Sequence, residues 1–348
     1  MYKAVIFGLK GPTLTKEERK FFAEQKPIGF ILFSRNIRNK KQVASLVDDL
    51  RCTIDNKNAP ILIDQEGGRV ARLKGPNWYH PPAAEIFGKI ALQNMTDAKR
   101  ACYLNAQILA YDLKALGINV NCAPLIDVPV PGANDVIGDR AFSDNIQTIV
   151  ELAKSMIEGL NAQGAIEIIK HIPGHGRSLV DSHFDLPIVQ DELSVLEKTD
   201  FVPFIELNDS KWAMTAHIIY KSIDPHHSAT HSPKVIKLIR EHIGFKGIII
   251  TDCITMKALK DTPKINAERS FNAGCDLVLF SRPDIEEMRT VVKIAPLLDM
   301  RQLSLIEFQP EISELMNKDT IEELFSILSK YSLTTTGKTQ QDPTERHF

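Results

Sequence analysis

Cysteine is scarce in this chain and forms no pattern: Cys52, Cys102, Cys122, Cys253 and Cys275 are odd in number, widely spaced and free of any C-x-x-C pair. Neither a disulfide framework nor a zinc knuckle organises such a sequence, and a reducing compartment suits it, so a cytoplasmic location is expected. Long apolar runs are missing too. None reaches the length of a membrane span, and the N-terminal run Ala4-Val5-Ile6-Phe7 is too short for a signal-peptide core and is soon interrupted by Lys10. An excess of positive charge is also absent. With 42 Lys and Arg against 44 Asp and Glu the formal net charge is −2, which does not supply the basic face that a nucleic-acid binder needs. Membrane and nucleic-acid partners are thus not expected, and a small or neutral ligand fits better.

What is present is the composition of a globular protein with a sizeable core, 43% hydrophobic and 25% charged over 348 residues. Short apolar runs near residues 5–9, 29–33, 61–63, 120–126, 166–169, 212–216, 247–250 and 277–280 read as strands. Segments with the apolar spacing of amphipathic helices separate them, at 15–23, 41–52, 97–116, 146–163, 193–207, 233–243, 265–273 and 285–294. Eight strands alternating with eight helices predict an α/β fold, a (β/α)₈ TIM barrel in a single domain. The barrel is expected over residues 1–300, with C-terminal helices packed on it over 301–331 and a polar, disordered or loosely attached tail over 332–348.

In such barrels chemistry sits at the C-terminal ends of the strands. Ionisable residues fall there: Asp64, Asp127, Lys170 with His171, His217 and Asp252 each follow an apolar run. The densest segment is Lys170-His171-Ile172-Pro173-Gly174-His175-Gly176, followed by Asp181-Ser182-His183. A turn with ordinary hydrogen-bonded histidines is the bland reading of it. Two functional readings compete. His171, His175 and His183 could bind a metal, or Asp181 and His183 could form an acid/base pair in which the carboxylate holds the imidazole in one tautomer. The metal reading suffers because these histidines lack the helical i, i+4 pair with an intervening Glu, and because Lys170 would repel a cation. A non-catalytic sugar-binding barrel would leave both Asp252 and the Asp181–His183 pair without a purpose. Cys253, beside Asp252, reads as a small buried filler, and Trp78 and Tyr79 as packing or the rim of a ligand site.

Five stretches taken together, IDQEGGRV-x-RL from Ile63, GDRAFS from Gly138, KHIPGHG-x4-DSH from Lys170, AHIIY from Ala216 and IITDC-x-TMKAL from Ile249, resemble the β-N-acetylglucosaminidases of glycoside hydrolase family 3. Several motifs in the right order are far more specific than one glycine-rich loop. The resemblance implies a retaining β-N-acetylhexosaminidase with Asp252 as nucleophile, His183 as general acid/base and Asp181 as its dyad partner. It also implies that Asp64, Arg72, Arg140, Lys170 and His171 hold the sugar. The implied substrates are N-acetylglucosamine-containing muropeptides met in bacterial cell-wall recycling, handled by a monomer without metal or other cofactor. The family often places a second acidic residue after the nucleophile, and Cys253 stands there instead.

Overall fold

The computed structural model describes residues 1–182, 185–306, 311–312, 316–332, 342 and 344. Eight parallel strands form its centre: β1 (Lys3–Phe7), β2 (Pro27–Leu32), β3 (Ile61–Ile63), β4 (Val120–Asn121), β5 (Ile166–Ile172), β6 (Trp212–Thr215), β7 (Ile248–Thr251) and β8 (Val278–Phe280). Each pairs with its sequence neighbour, and β1 pairs with β8 through Val5 and Val278. A parallel bridge from Ile250 to Leu277 and the bond from the Thr251 N–H to the Leu277 carbonyl, 3.1 Å, join β7 to β8 and close the cylinder. The fold is the expected (β/α)₈ barrel.

Side chains alternate across each strand, so one sequence fills two separate cores. Ile6, Leu62, Ile168, Met214, Ile250 and Leu279 belong to the packed interior of the barrel. Their neighbours Phe7, Ile63, Ile169, Ala213, Ile249 and Phe280 belong to the larger cluster between the strands and the outer helices. Strong start signals set several of those helices. Thr15 caps Lys16–Gln25 in a capping box with Glu18, and Asn39, Asn94, Asn145 and Asp284 cap later ones.

Two expected elements are shorter than their apolar runs. The run at 120–126 pairs regularly only over Val120–Asn121, because Pro124 has no N–H to give the ladder; its carbonyl still accepts from the Lys170 N–H at 3.2 Å. The helix expected over 193–207 is two pieces, Leu193–Leu196 and Val202–Glu206, since Pro203 cannot donate to the preceding turn and opens the second piece instead. A further helix, Ala84–Ala91, was not expected.

Past the barrel, Met300–Ile306 and Lys318–Lys330 are helical, and Leu324 and Leu328 are buried. Glu323 accepts a two-pronged bond from Arg100 at 2.7 Å on each arm, and the Tyr331 hydroxyl donates to Asp97 at 2.6 Å, tying this last helix to Met95–Ala115. Among the described residues no helix is long and apolar enough to cross a membrane.

Candidate active site

The ends of β3, β5 and β7 open on one pocket bordered by Asp64, Arg72, Arg140, Lys170, His171 and Asp252. Six of the eight expected site residues are therefore together. Strand geometry alone would send Lys170 and His171 to opposite faces. A register shift between β5 and β6 at Lys170 and Ile172 re-aims the strand end, as bulges beside active sites do, and both side chains reach the pocket.

The floor is a buried network of alternating charge. Lys170 Nζ donates to Asp64 at 3.1 Å and to Glu66 at 2.6 Å; Arg140 forks onto Glu66 with two 2.8 Å bonds; Arg72 donates to Asp64 at 2.8 Å. Burial works against ionising Glu66, yet Arg140 and Lys170 overcome it and hold the carboxyl down at about 2. Asp64 is likewise held well below the usual carboxylate range against its burial, by Lys170 and Arg72. The reciprocal effect keeps Lys170 protonated: burial lowers its ammonium, but Glu66 and Asp64 raise it further. The cluster thus presents fixed cationic donors and carboxylate acceptors to whatever enters, an arrangement suited to a neutral ligand rich in hydroxyl and carbonyl groups.

A sign follows for acid stability. Glu66 and Asp64 have folded values below the ordinary range, so their contribution is complete above about pH 4.5 and is lost as pH falls towards about 2. Circular dichroism should record unfolding in that acid window. Glu66→Gln should lower stability at neutral pH by about 3 kcal/mol or more, because Arg140 and Lys170 then lose their shared buried counter-charge. A stability of Glu66→Gln equal to that of the parent would show that the network carries no such energy.

His171 and His175 are held by Asp127, which is fully buried. One Asp127 oxygen lies 2.7 Å from His171 Nδ1, and the other accepts the backbone N–H groups of His171 at 3.0 Å and of His175 at 2.6 Å. Burial, and then the neighbouring His171, lower the His175 imidazole to about 4, so it is neutral at ordinary pH. Its Nε2 lies 3.1 Å from Ser182 Oγ. Among the described residues no group of three His, Cys, Asp or Glu side chains is placed to hold a metal ion. Two of the three histidines considered as ligands engage Asp127 and Ser182, and the third, His183, lies outside the described residues.

The loop after β5 passes so close to the barrel that a Cβ on Gly176 would meet the Val128 carbonyl oxygen at 1.8 Å. Arg177 anchors it, with bonds of 2.6 Å to Asp200, 3.0 Å to Asp191 and 2.9 Å to Thr199. Beyond that anchor Leu179 is 70% exposed, whereas Asp181 and Ser182 are buried, and Ser182 borders the pocket. Asp252, directly after β7, is half-buried, and its Oδ1 accepts the Cys253 N–H at 2.7 Å.

His217, at the end of β6, holds the Cys253–Ile254 peptide, one residue beyond Asp252. Its Nε2 lies 3.1 Å from the Cys253 carbonyl, which can only accept, so Nε2 carries the hydrogen; Nδ1, 2.7 Å from Thr230 Oγ1, then accepts when the ring is neutral. Cys253 itself is buried, its Sγ 2.8 Å from Ser281 Oγ. Trp78 and Tyr79 stand away from the pocket: Lys40 lies over the Trp78 ring and the Tyr79 hydroxyl donates to Asn105.

Glu66 thus belongs to the site although no role was assigned to it from sequence, and Asp127 and His175 belong to it in parts other than those considered there, a strand-end acid and a metal ligand. Glu66 was the most legible of these, as the second acid, after Asp64, of a motif otherwise rich in arginine and glycine. Two residues of the C-terminal tail also reach Arg72 from outside the barrel, Asp342 on Nη1 and Thr344 on Nη2, each at 2.6 Å.

Residues 5–309 match the family model described as the glycosyl hydrolase family 3 N-terminal domain. The chain is 32% identical over 289 residues to a β-hexosaminidase of Bordetella pertussis, covering 81% of each protein. A β-hexosaminidase of Alkalilimnicola ehrlichii is also 32% identical, over 310 residues, 86% of this chain and 88% of that one. NagZ of Neisseria gonorrhoeae, solved with N-trifluoroacetyl-D-glucosamine, superposes with a TM-score of 0.85 at 28% identity, over 94% of this chain and 97% of NagZ. Matched over most of its length by the family model and by these relatives, the chain belongs to glycosyl hydrolase family 3.

Proposed function

We propose that the chain is a retaining exo-β-N-acetylglucosaminidase that releases terminal β-linked N-acetylglucosamine from muropeptide fragments, GlcNAc-1,6-anhydro-MurNAc peptides, during peptidoglycan recycling in the cytoplasm. It acts as a monomer and uses no metal. Family membership and the β-hexosaminidases among its relatives support the activity. The observation that carries the chemistry is the placement of the Asp252 carboxylate on the same pocket as Asp64, Arg72, Arg140 and Lys170, a nucleophile beside a set of sugar-holding donors and acceptors.

In this reading Asp252 attacks the anomeric carbon while the bond to the leaving oxygen breaks, and His183 gives that oxygen its proton. The product is a sugar esterified to Asp252. His183, now a base, takes a proton from water, whose oxygen attacks the same carbon and returns Asp252 as a carboxylate. Asp181 orients the imidazole and favours its protonated form. Glu66 keeps Lys170 and Arg140 in place, so its part is positioning. An imidazole serves as donor here, so the carboxyl separation that distinguishes retaining from inverting enzymes does not apply.

A chromogenic aryl β-N-acetylglucosaminide tests the reading. Hydrolysis with initial release of the β-anomer, unaffected by a chelator, is expected. Arg72→Ala, Arg140→Ala and Lys170→Ala should each lower kcat/KM by roughly tenfold to a hundredfold, the worth of one charge-assisted bond to the sugar. Loss of activity with the chelator would favour a metal-dependent hydrolase built on His171, His175 and His183, and binding without turnover would favour a sugar-binding barrel.

A further inference from the structure

Arg72 is the cation of the pocket whose fork is divided between the barrel and the far end of the chain. Nη2 donates to Asp64 at 2.8 Å, within the charge network, and to Thr344 Oγ1 at 2.6 Å. Nη1 donates to Asp342 Oδ2 at 2.6 Å. The other Asp342 oxygen accepts from the Thr344 N–H at 2.9 Å and hydroxyl at 2.7 Å, so the two tail residues present one carboxylate oxygen and one hydroxyl side by side to a single guanidinium. Asp342 is only 6% exposed, Lys74 Nζ lies 3.7 Å from it, and Thr344 borders the same pocket as Asp64, Lys170 and Asp252.

We propose that Asp342 and Thr344 are an internal competitor for the sugar site: they occupy the donors of Arg72 that a saccharide would use, and substrate binds when they leave. The proposal rests on the reading above that Arg72 holds the sugar. Three physical points favour competition over a tail that helps to build the site. A carboxylate outbids a neutral hydroxyl for a buried guanidinium, because both partners of the bond are charged. In the hydrogen-bonded network Asp64 is shared between Arg72 and Lys170, and Asp342 gives Arg72 a carboxylate of its own, a counter-charge that a neutral sugar does not supply. Being part of the chain, Asp342 stands at the pocket at an effective concentration that a free ligand matches only in the millimolar range.

Competition of this kind multiplies the apparent affinity by the fraction of molecules with the site open, so that the apparent Kd rises as that fraction falls. Full-length Asp342→Asn, which keeps the shape of the side chain and removes its charge, should therefore lower KM for the aryl β-N-acetylglucosaminide by about fivefold or more, with kcat changed by less than about twofold. Thr344→Val should lower KM in the same direction by a smaller factor. Free N-acetylglucosamine should inhibit Asp342→Asn at correspondingly lower concentration, and thermal melting would confirm that both variants are folded. A KM that is unchanged or higher in folded, active Asp342→Asn would overturn the proposal and make the tail idle or part of the sugar site. Absence of turnover in the parent and in both variants would instead remove the sugar reading on which the proposal stands.

Discussion

Asp252→Asn is expected to abolish turnover of every β-N-acetylglucosaminide, good and poor leaving groups alike, by roughly a thousandfold or more, about 4 kcal/mol of transition-state stabilisation. The amide keeps the volume of the carboxylate and can still accept the Cys253 N–H through its oxygen, so the pocket should remain intact. What disappears is the charge that attacks the anomeric carbon and the oxygen that would carry the sugar. No ester forms, and rapid mixing with an activated aryl glycoside should show no burst of released alcohol. Inhibition by N-acetylglucosamine should persist, because the donors that hold the sugar belong to other residues. A burst in Asp252→Asn would place the nucleophile elsewhere. His217 provides a graded companion to this test. Replacing it by Ala removes the donor to the Cys253 carbonyl, and the resulting shift of the Cys253–Ile254 peptide, one residue beyond Asp252, should lower kcat more than it raises KM.

The barrel was legible because its strands are buried on both faces and read as apolar runs, each followed by a polar residue at the rim. Asp64, Lys170, His171 and Asp252 were found by that rule before any geometry was known, and Arg72 and Arg140 by the motifs around them. Misreadings arose where one residue interrupts a pattern. Pro124 and Pro203 cut short a strand and a helix whose apolar spacing is otherwise continuous. The helix Ala84–Ala91 begins at Ala83, which makes no capping bond, so its start carries no signal. Contacts that cross the chain were the least legible. The Asp127–His171 pair joins residues 44 positions apart, and the Asp342–Arg72 pair residues 270 apart. Nothing in the composition of a polar tail marks one aspartate as the partner of a buried arginine, since that choice is made by where the barrel rim places Arg72.

His183→Ala should separate the two halves of the reaction rather than stop both. Its effect depends on the leaving group: a poor alkoxide needs the proton that the imidazole would give, while an activated phenolate leaves without it. Natural-type disaccharide substrates should therefore lose activity by a factor on the order of 10²–10⁴, the usual contribution of a positioned acid or base. The aryl glycoside should still esterify Asp252 and release a burst equal to the enzyme concentration, after which the ester accumulates because no base activates water. Mass spectrometry of the stalled protein should find one added N-acetylglucosamine on the peptide containing Asp252. A small anionic nucleophile such as azide, which needs no deprotonation, should restore turnover and yield the β-glycosyl azide. Asp181→Asn should show the same pattern more mildly, since the imidazole remains but loses the carboxylate that orients it and favours its protonated form. If His183→Ala showed neither a burst nor rescue by azide, the residue would be needed to form the ester as well as to break it.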